Sequence, residues 1–154
     1  MLQRKQTVFF LLALVVTVLC LCMQIGSFEP QKAMAAPSQL YNLWTQASDG
    51  TKTFAVWPLF AVLLLTCPIS IFAIFSYKQR PVQSLMCMFN IILILIWYVL
   101  YVFFGYIFGE KQEVVSFRPL WTAALPLVAL IFYILARRGV MADEKLIKAA
   151  DRIR

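Results

Sequence analysis

The sequence contains no histidine, and only 14% of its residues are charged. Histidine is the commonest metal ligand and general base in proteins, so its absence removes the usual basis for a metal centre or a proton-transfer site. The sequence also has no glycine-rich phosphate loop and no nucleophile with an evident base nearby. We therefore expect a protein that is not an enzyme and that carries no cofactor and no metal.

The scarcity of charge is matched by an excess of apolar residues, which make up 62% of the 154 residues. An ordinary soluble domain is about 45–50% apolar and about 25% charged. A soluble domain of this size could not bury so much apolar surface. We therefore predict a single membrane domain that covers residues 1–154.

Four long stretches contain no charged residue at all. Each has about the length that a helix needs to cross ~30 Å of hydrocarbon. They are residues 7–25, 55–77, 85–108 and 120–136. Because they are continuously apolar and do not alternate, they are not strands of a membrane barrel. The predicted fold class is an all-α membrane protein, a left-handed four-helix transmembrane bundle with an outer loop at 26–54 and a tail at 137–154.

The lysines and arginines predict the orientation of this bundle. Ten of them lie at the N-terminus, between the second and third stretches, or in the tail, and four lie in the opposite segments. The positive-inside rule places the more basic side in the cytoplasm, so we expect both termini there. Since orientation accounts for the basic residues, no nucleic-acid partner is expected.

An N-terminal signal peptide is the alternative for the first stretch. Arg4 and Lys5, the apolar run that follows them, and Ala33-Met34-Ala35 together resemble a signal with its cleavage site. However, the run is long for a signal peptide, and the polar residues between it and the cleavage motif separate the two too widely. We favour an uncleaved first span.

Signals for β-structure occur in the outer loop and in the segment between the third and fourth apolar stretches. Ser48-Asp49-Gly50 is a hairpin-turn sequence, and residues 40–46 and 51–57 on either side are rich in residues that favour strands. Residues 113–117 are a further candidate strand. We predict a small extracytoplasmic β-hairpin or sheet, with an irregular cap as the alternative.

Inside the apolar stretches, prolines, glycines and cysteines are the residues of interest. Pro68 and Pro126 each remove a helix hydrogen bond, and we predict a kink at both. Gly105 and Gly109 form a GxxxG pattern, which permits close approach of two helix backbones. The four cysteines lie within apolar runs, and we expect them to be free thiols that pack as small apolar side chains.

The tail has the pattern of a short amphipathic helix. Asp143 is a suitable N-cap, and apolar residues follow it at helical spacing. They are Leu146, Ile147, Ala150 and Ile153. The polar face of this helix carries both signs of charge, which suits a docking surface or a solvated helix better than a lipid-binding helix.

Three segments of the sequence resemble one family. They are Met1-Leu2-Gln3-Arg4-Lys5-Gln6-Thr7, then Arg80-Pro81-Val82-Gln83 with Asn90, and the ending from Asp143 to Arg154. On these segments the chain resembles the domain of unknown function 4293 family, small four-span inner-membrane proteins of Bacteroidetes-type bacteria. The resemblance implies a multi-pass location in the bacterial inner (cytoplasmic) membrane and implies no activity.

Three functional hypotheses follow. The leading one is a non-enzymatic scaffold or accessory subunit that binds a partner through its basic cytoplasmic face. The partner would be a membrane or cytoplasmic protein, or a second copy of the chain, in addition to membrane lipids. The second is a carrier or binder of a lipid or quinone-like hydrophobe between the helices that contain Pro68 and Pro126. The third, a thiol oxidoreductase, would need Cys20 and Cys22 as a reactive pair. The residues proposed for partner binding are Arg4, Arg80, Gln83, Lys145, Lys148, Asp151, Arg152 and Arg154.

Overall fold

The computed structural model describes residues 3–30, 36–76, 79–111 and 114–151. Within these ranges the chain forms four α-helices and five short strands. The helices are α1 (Gln3–Cys22), α2 (Trp57–Phe75), α3 (Arg80–Lys111) and α4 (Leu125–Asp151), and a 3₁₀ helix at Trp121–Ala124 leads into α4. The strands are β1 (Gln24–Pro30), β2 (Ser38–Tyr41), β3 (Thr45–Gln46), β4 (Lys52–Thr53) and β5 (Val114–Pro119).

Each predicted span falls on a helix, and three of the helical segments are long and apolar enough to cross a membrane. These three are Trp57–Phe75, Arg80–Tyr106 and Trp121–Ile147. The apolar part of α1, Gln6–Cys22, is shorter. The first span was predicted to continue to residue 25, but α1 ends at Cys22 and the next residues enter β1.

The helices pack in a ring, in which α1 contacts α2 and α4, and α3 contacts the same two helices. Within each helix the buried residues recur at alternating steps of four and three positions. A mean spacing of 3.5 residues is typical of left-handed helix packing. The buried residues are Gln6, Phe10, Ala13, Thr17 and Cys20 in α1; Leu59, Leu63, Thr66, Ser70 and Ala73 in α2; Gln83, Cys87, Asn90, Ile94, Trp97 and Tyr101 in α3; and Ala129, Tyr133, Ala136, Val140 and Asp143 in α4.

The strands form one antiparallel sheet in the order β4-β3-β2-β1-β5. The predicted hairpin is present between β3 and β4, and Gly50 in its turn adopts φ of 84°. Asp49 accepts hydrogen bonds from the Thr51 hydroxyl and backbone N–H, which lowers the pKa of its carboxyl. The sheet is larger than the predicted hairpin, because β1 joins the hairpin side to β5.

One aromatic ring packs closely between the sheet and the helices. Phe117 in β5 lies between Gly26 of β1 and Gly105 of α3, so close that a Cβ on either glycine would come within 2.8 Å of a ring carbon. The ring also packs against Phe28 and Tyr101, with centroids 5.2 and 5.6 Å apart. The GxxxG pattern was compatible with dimerisation or with internal packing, and at Gly105 the close approach is internal, to the Phe117 side chain.

One prediction about helix shape needs correction, and two stay predictions. Pro126 is the second residue of α4, directly after the 3₁₀ helix at Trp121–Ala124, and the kink there stays a prediction. The tail does not form a separate helix capped by Asp143, because α4 runs without interruption from Leu125 to Asp151. Pro68 does lie inside α2, which continues as one helix past it; the kink there stays a prediction.

Candidate functional site

One end of the helices carries the sheet, and we call it the sheet end. The opposite end carries the start of α1, the connection from α2 to α3, and the C-terminal half of α4. We call it the terminal end. Those of the predicted partner-binding residues that the structure describes lie at this terminal end, so the site is described from there.

Gln6 and Asp143 connect the two ends of the chain. Gln6 Nε2 donates to Asp143 Oδ2 over 2.6 Å, and both side chains are buried. Gly139, one turn before Asp143, leaves room for the Gln6 side chain, since a Cβ there would lie 3.1 Å from Gln6 Cγ. Asp143 therefore fastens α4 to α1, and it has this role in place of the predicted helix cap. We call Gln6, Gly139 and Asp143 the terminal clasp.

Gln83 closes the end of α2. Its side chain is only 3% exposed, and Nε2 donates over 3.2 Å to the carbonyl of Ala73. Ala73 is one of the last four residues of α2, and the carbonyls of these residues have no N–H donor further along the helix. Since its side chain is buried and bonded internally, Gln83 is not available to a partner, and its predicted role in partner binding is wrong.

The other predicted contact residues are described to different extents. Arg80 is half-buried at the first position of α3, and Lys145 is exposed on α4. The structure places the backbones of Arg4, Lys148 and Asp151 in α1 and α4, while their side chains lie outside the described part, as do Arg152 and Arg154 entirely.

The exposed part of α4 beyond the terminal clasp is apolar as well as basic. Leu146 is 65% exposed and Ile147 is 45% exposed, next to exposed Lys145. Leu146 and Ile147 belong to the apolar stripe that was predicted for the tail. We call these three residues the α4 tip.

In the middle of the helices, a short chain of hydrogen bonds joins three of them. The Ser70 hydroxyl lies 2.7 Å from the Thr66 carbonyl and 2.6 Å from the Tyr133 hydroxyl. The Ser70 hydroxyl donates its single proton in the hydrogen bond to the Thr66 carbonyl. The Ser70 oxygen therefore accepts a hydrogen bond from the Tyr133 hydroxyl. Asn90 Nδ2 donates to the same Ser70 oxygen over 3.1 Å. The bonds from Tyr133 and Asn90 to Ser70 therefore join α4 and α3 to α2, while the Ser70–Thr66 bond lies within α2.

At the sheet end a loop residue enters the helices. Asn42 is fully buried between β2 and β3; its Nδ2 donates to the Cys20 carbonyl over 2.7 Å, and its Oδ1 accepts from Trp97 Nε1 over 3.0 Å. Trp97 stacks on Tyr101 with centroids 5.1 Å apart, and the Tyr101 hydroxyl donates to the Ile25 carbonyl over 2.8 Å. This network ties the outer loop, α1 and α3 together.

The cysteines are free, as predicted. Cys20 is fully buried and Cys22 is exposed, because residues two apart on a helix point in different directions. That arrangement does not favour the thiol-oxidoreductase hypothesis. Among the residues that the structure describes, no group of three cysteines and carboxylates is placed to hold a metal ion.

Sequence reasoning missed Asn42, Gly139 and the pairing of Gln6 with Asp143. The spacing of polar residues along each helix could have identified the buried ones. In α1, α2 and α3 they follow the same spacing as the buried apolar residues: Gln6, Thr17, Thr66, Ser70, Gln83 and Asn90. No such signal identified Asn42, because it lies in a loop.

A double-mutant cycle tests the terminal clasp. Gln6→Ala and Asp143→Ala should each lower the unfolding free energy, and the pair should show a coupling energy of about 1.5 kcal/mol, since a hydrogen bond to a charged group has that magnitude. Hydrogen exchange should become faster in α4 after Gly139 and stay unchanged near Tyr133. Additive effects of the two substitutions would contradict the clasp.

A model of one protein family matches residues 2–153; its description is domain of unknown function (DUF4293). No curated protein matches the chain. The matched region includes every helix and strand described above. The segments on which the resemblance rests supply Gln6, Gln83, Asn90 and Asp143, and each of these side chains makes an internal hydrogen bond.

Proposed function

This chain belongs to the domain of unknown function 4293 family, and we propose that it is a four-span bundle of the bacterial inner membrane whose α4 tip docks a cytoplasmic protein. In this role it is a non-enzymatic scaffold or accessory subunit. The exposed apolar pair of the α4 tip is the observation that carries the proposal, and the position of that pair relative to the bilayer is the central argument.

Exposed aromatic side chains support one boundary of the membrane at the sheet end. Phe54, Trp57, Tyr106 and Trp121 are 58–74% exposed there. Aromatic residues of this kind gather at the interface between hydrocarbon and water. From Trp121 to Arg138 the helix rises by roughly 26 Å, which is close to the ~30 Å thickness of the hydrocarbon. The second boundary then lies near Arg137 and Arg138.

The shorter α1 is included as the fourth span because of its surroundings. It packs between α2 and α4, and its outward residues Leu11, Val15 and Leu19 are 46–52% exposed. Exposed apolar side chains along the middle of a helix are expected where lipid surrounds it. A short apolar segment is accommodated when neighbouring helices share the same boundaries.

The distribution of charge supports cytoplasmic termini. Arg137, Arg138, Lys145 and Arg80 lie at the terminal end. At the sheet end, Arg118 forms an ion pair with Glu29, with Nε and Oε1 3.0 Å apart. The positive-inside rule then assigns the terminal end to the cytoplasm and the sheet to the outer side.

With this placement the α4 tip lies beyond the lipid. Leu146 is eight residues after Arg138, or about 12 Å along the helix. The headgroup layer adds only about 6 Å to each side of the hydrocarbon. Lipid therefore does not cover Leu146 and Ile147, and an exposed apolar pair on a helix in water is the kind of surface that fits the groove of a partner protein. Lys145 beside it favours a groove with an acidic rim.

The carrier hypothesis has no contact in its favour. Trp97, which suggested a ligand cleft, already donates to Asn42, and Pro126 lies in the first turn of α4. Binding of a hydrophobe between α2 and α4 stays a prediction.

Site-specific photo-crosslinking in intact cells tests the docking role. A photoreactive residue at Leu146 should give a discrete protein adduct, and the added substitution Ile147→Asp should remove at least about nine-tenths of it, because a charge on the apolar face costs well over ~1.4 kcal/mol. A photoreactive residue at Ile131, which is 49% exposed and lies in the middle of the proposed membrane span, is the matched control and should crosslink lipid. If position 146 gave only lipid adducts or no adduct, the docking role would be wrong.

A further inference from the structure

Arg137 in α4 has a buried nitrogen, Nε, without a hydrogen-bond partner among the described residues. Its side chain is half-buried, and its Nε is shielded from solvent without an acceptor in that part of the chain. Gly139 faces Gln6 of α1, so Arg137, two residues before it, lies on the other flank of α4, which is directed toward α3. Arg138, the next residue, is exposed.

A shielded guanidinium N–H without an acceptor is unfavourable, since a buried charged donor must be paired. Asp143, six residues further along α4, is already bonded to Gln6. A guanidinium presents a planar set of donors that fits phosphate oxygens well. An anionic group from outside the described part of the chain would supply the missing acceptor.

The surroundings of Arg137 suit a lipid. Ile134 and Met141, one turn before and after it, are 38% and 42% exposed, so the charge is flanked by apolar side chains. In the proposed membrane placement, Arg137 lies at the boundary where lipid phosphates begin. Half-buried Arg80 at the start of α3 adds positive charge to the same end of the helices.

We propose that Arg137 binds the phosphate of an anionic phospholipid of the cytoplasmic leaflet in the groove between α3 and α4. The headgroup oxygens accept from the guanidinium, and an acyl chain lies along the apolar side chains beside it. This site is separate from the α4 tip and from the α2–α4 cleft of the carrier hypothesis. It rests on the proposed membrane placement and does not depend on partner docking.

Native mass spectrometry of the full chain, released from detergent that contains equal amounts of phosphatidylglycerol and phosphatidylcholine, tests the site. The unaltered protein should retain phosphatidylglycerol preferentially. Arg137→Gln should reduce that retention about tenfold, and the neighbouring Arg138→Gln, which makes the same charge change at an exposed position, should alter it less than twofold. Excess inorganic phosphate should not displace the lipid, because it lacks the acyl chains.

Arg137→Lys separates a guanidinium contact from simple charge attraction, and it also serves if Arg137→Gln fails to fold. Lysine keeps the charge without the planar set of donors, so retention should fall at least threefold. Equal losses in Arg137→Gln and Arg138→Gln, full retention in Arg137→Lys, or no preference for phosphatidylglycerol in the unaltered protein would each overturn the proposal. The Leu146 crosslink, measured in Arg137→Gln, should be unchanged. If the unaltered protein retained phosphatidylglycerol but gave no protein adduct at position 146, docking would be contradicted and the lipid site would stand.

Discussion

Asn42→Leu should lower the free energy of unfolding by about 3 kcal/mol, the largest effect that we expect of any single substitution in the outer loop. The replacement removes a donor to the Cys20 carbonyl and an acceptor for the Trp97 indole. Both remaining groups are buried, and neither finds a new partner in a leucine side chain. Each unpaired buried group costs roughly 1–3 kcal/mol.

Titration with sodium dodecyl sulfate in mixed micelles, followed by tryptophan fluorescence, measures this loss. Gln39→Ala is the matched control, since Gln39 is an exposed residue of the same β2–β3 region and should change stability by less than about 0.5 kcal/mol. In a Trp97→Phe background, Asn42→Leu should cost less, because the indole N–H no longer needs an acceptor. An equal cost in both backgrounds would show that Asn42 does not act through Trp97.

Gly105→Ala should cost about 2 kcal/mol even though alanine is the better helix former by ~1 kcal/mol. The new methyl group would lie 2.8 Å from Phe117 Cε1 and 2.9 Å from Cδ1. The ring cannot retreat, because its other edge already rests on the backbone at Gly26. We therefore expect loss of sheet attachment, detected as faster hydrogen exchange in β1 and β5 than in α2.

Two further variants test the cause. Phe117→Leu removes part of the ring, so Gly105→Ala should cost at least about 1 kcal/mol less in that background than in the unaltered protein. Gly139→Ala is the control for a helical glycine that faces a flexible side chain; Gln6 can shift by a few tenths of an ångström, and stability should change by less than about 1 kcal/mol. If Gly105→Ala and Gly139→Ala lowered stability equally, contact with Phe117 would not explain why position 105 needs glycine.

The helices could be predicted because charge-free stretches depend only on local composition. Their ends could not. α4 continues to Asp151 because the buried spacing of Ala129, Tyr133 and Ala136 extends through Val140 to Asp143, so packing against α1 supports residues that look like a detached tail. α1 ends before residue 25 because Ile25 and its neighbours pair with strands that are distant in sequence.

The polar contacts were less predictable than the helices. The sequence places Gln6, Gln83 and Asn90 at buried spacing, yet their partners lie 137, 10 and 20 residues away. Spacing within one helix identifies the face a residue occupies, but the partner depends on which helix lies opposite. The sequence therefore places Gln83 on an exposed binding face although its side chain is buried. The apolar residues of the α4 tip are predictable, because their helical spacing is a local pattern.

The terminal clasp has a consequence for biosynthesis. Gln6 is synthesised 137 residues before Asp143, so at about 5–20 residues per second the two events are separated by roughly 7–27 s. Throughout that interval the amide group of Gln6 lacks its final partner, and α1 lacks α4 beside it. We therefore expect a chain that stops before Asp143 to hold α1 less firmly than the unaltered chain does, and to be the better substrate for a protease or chaperone.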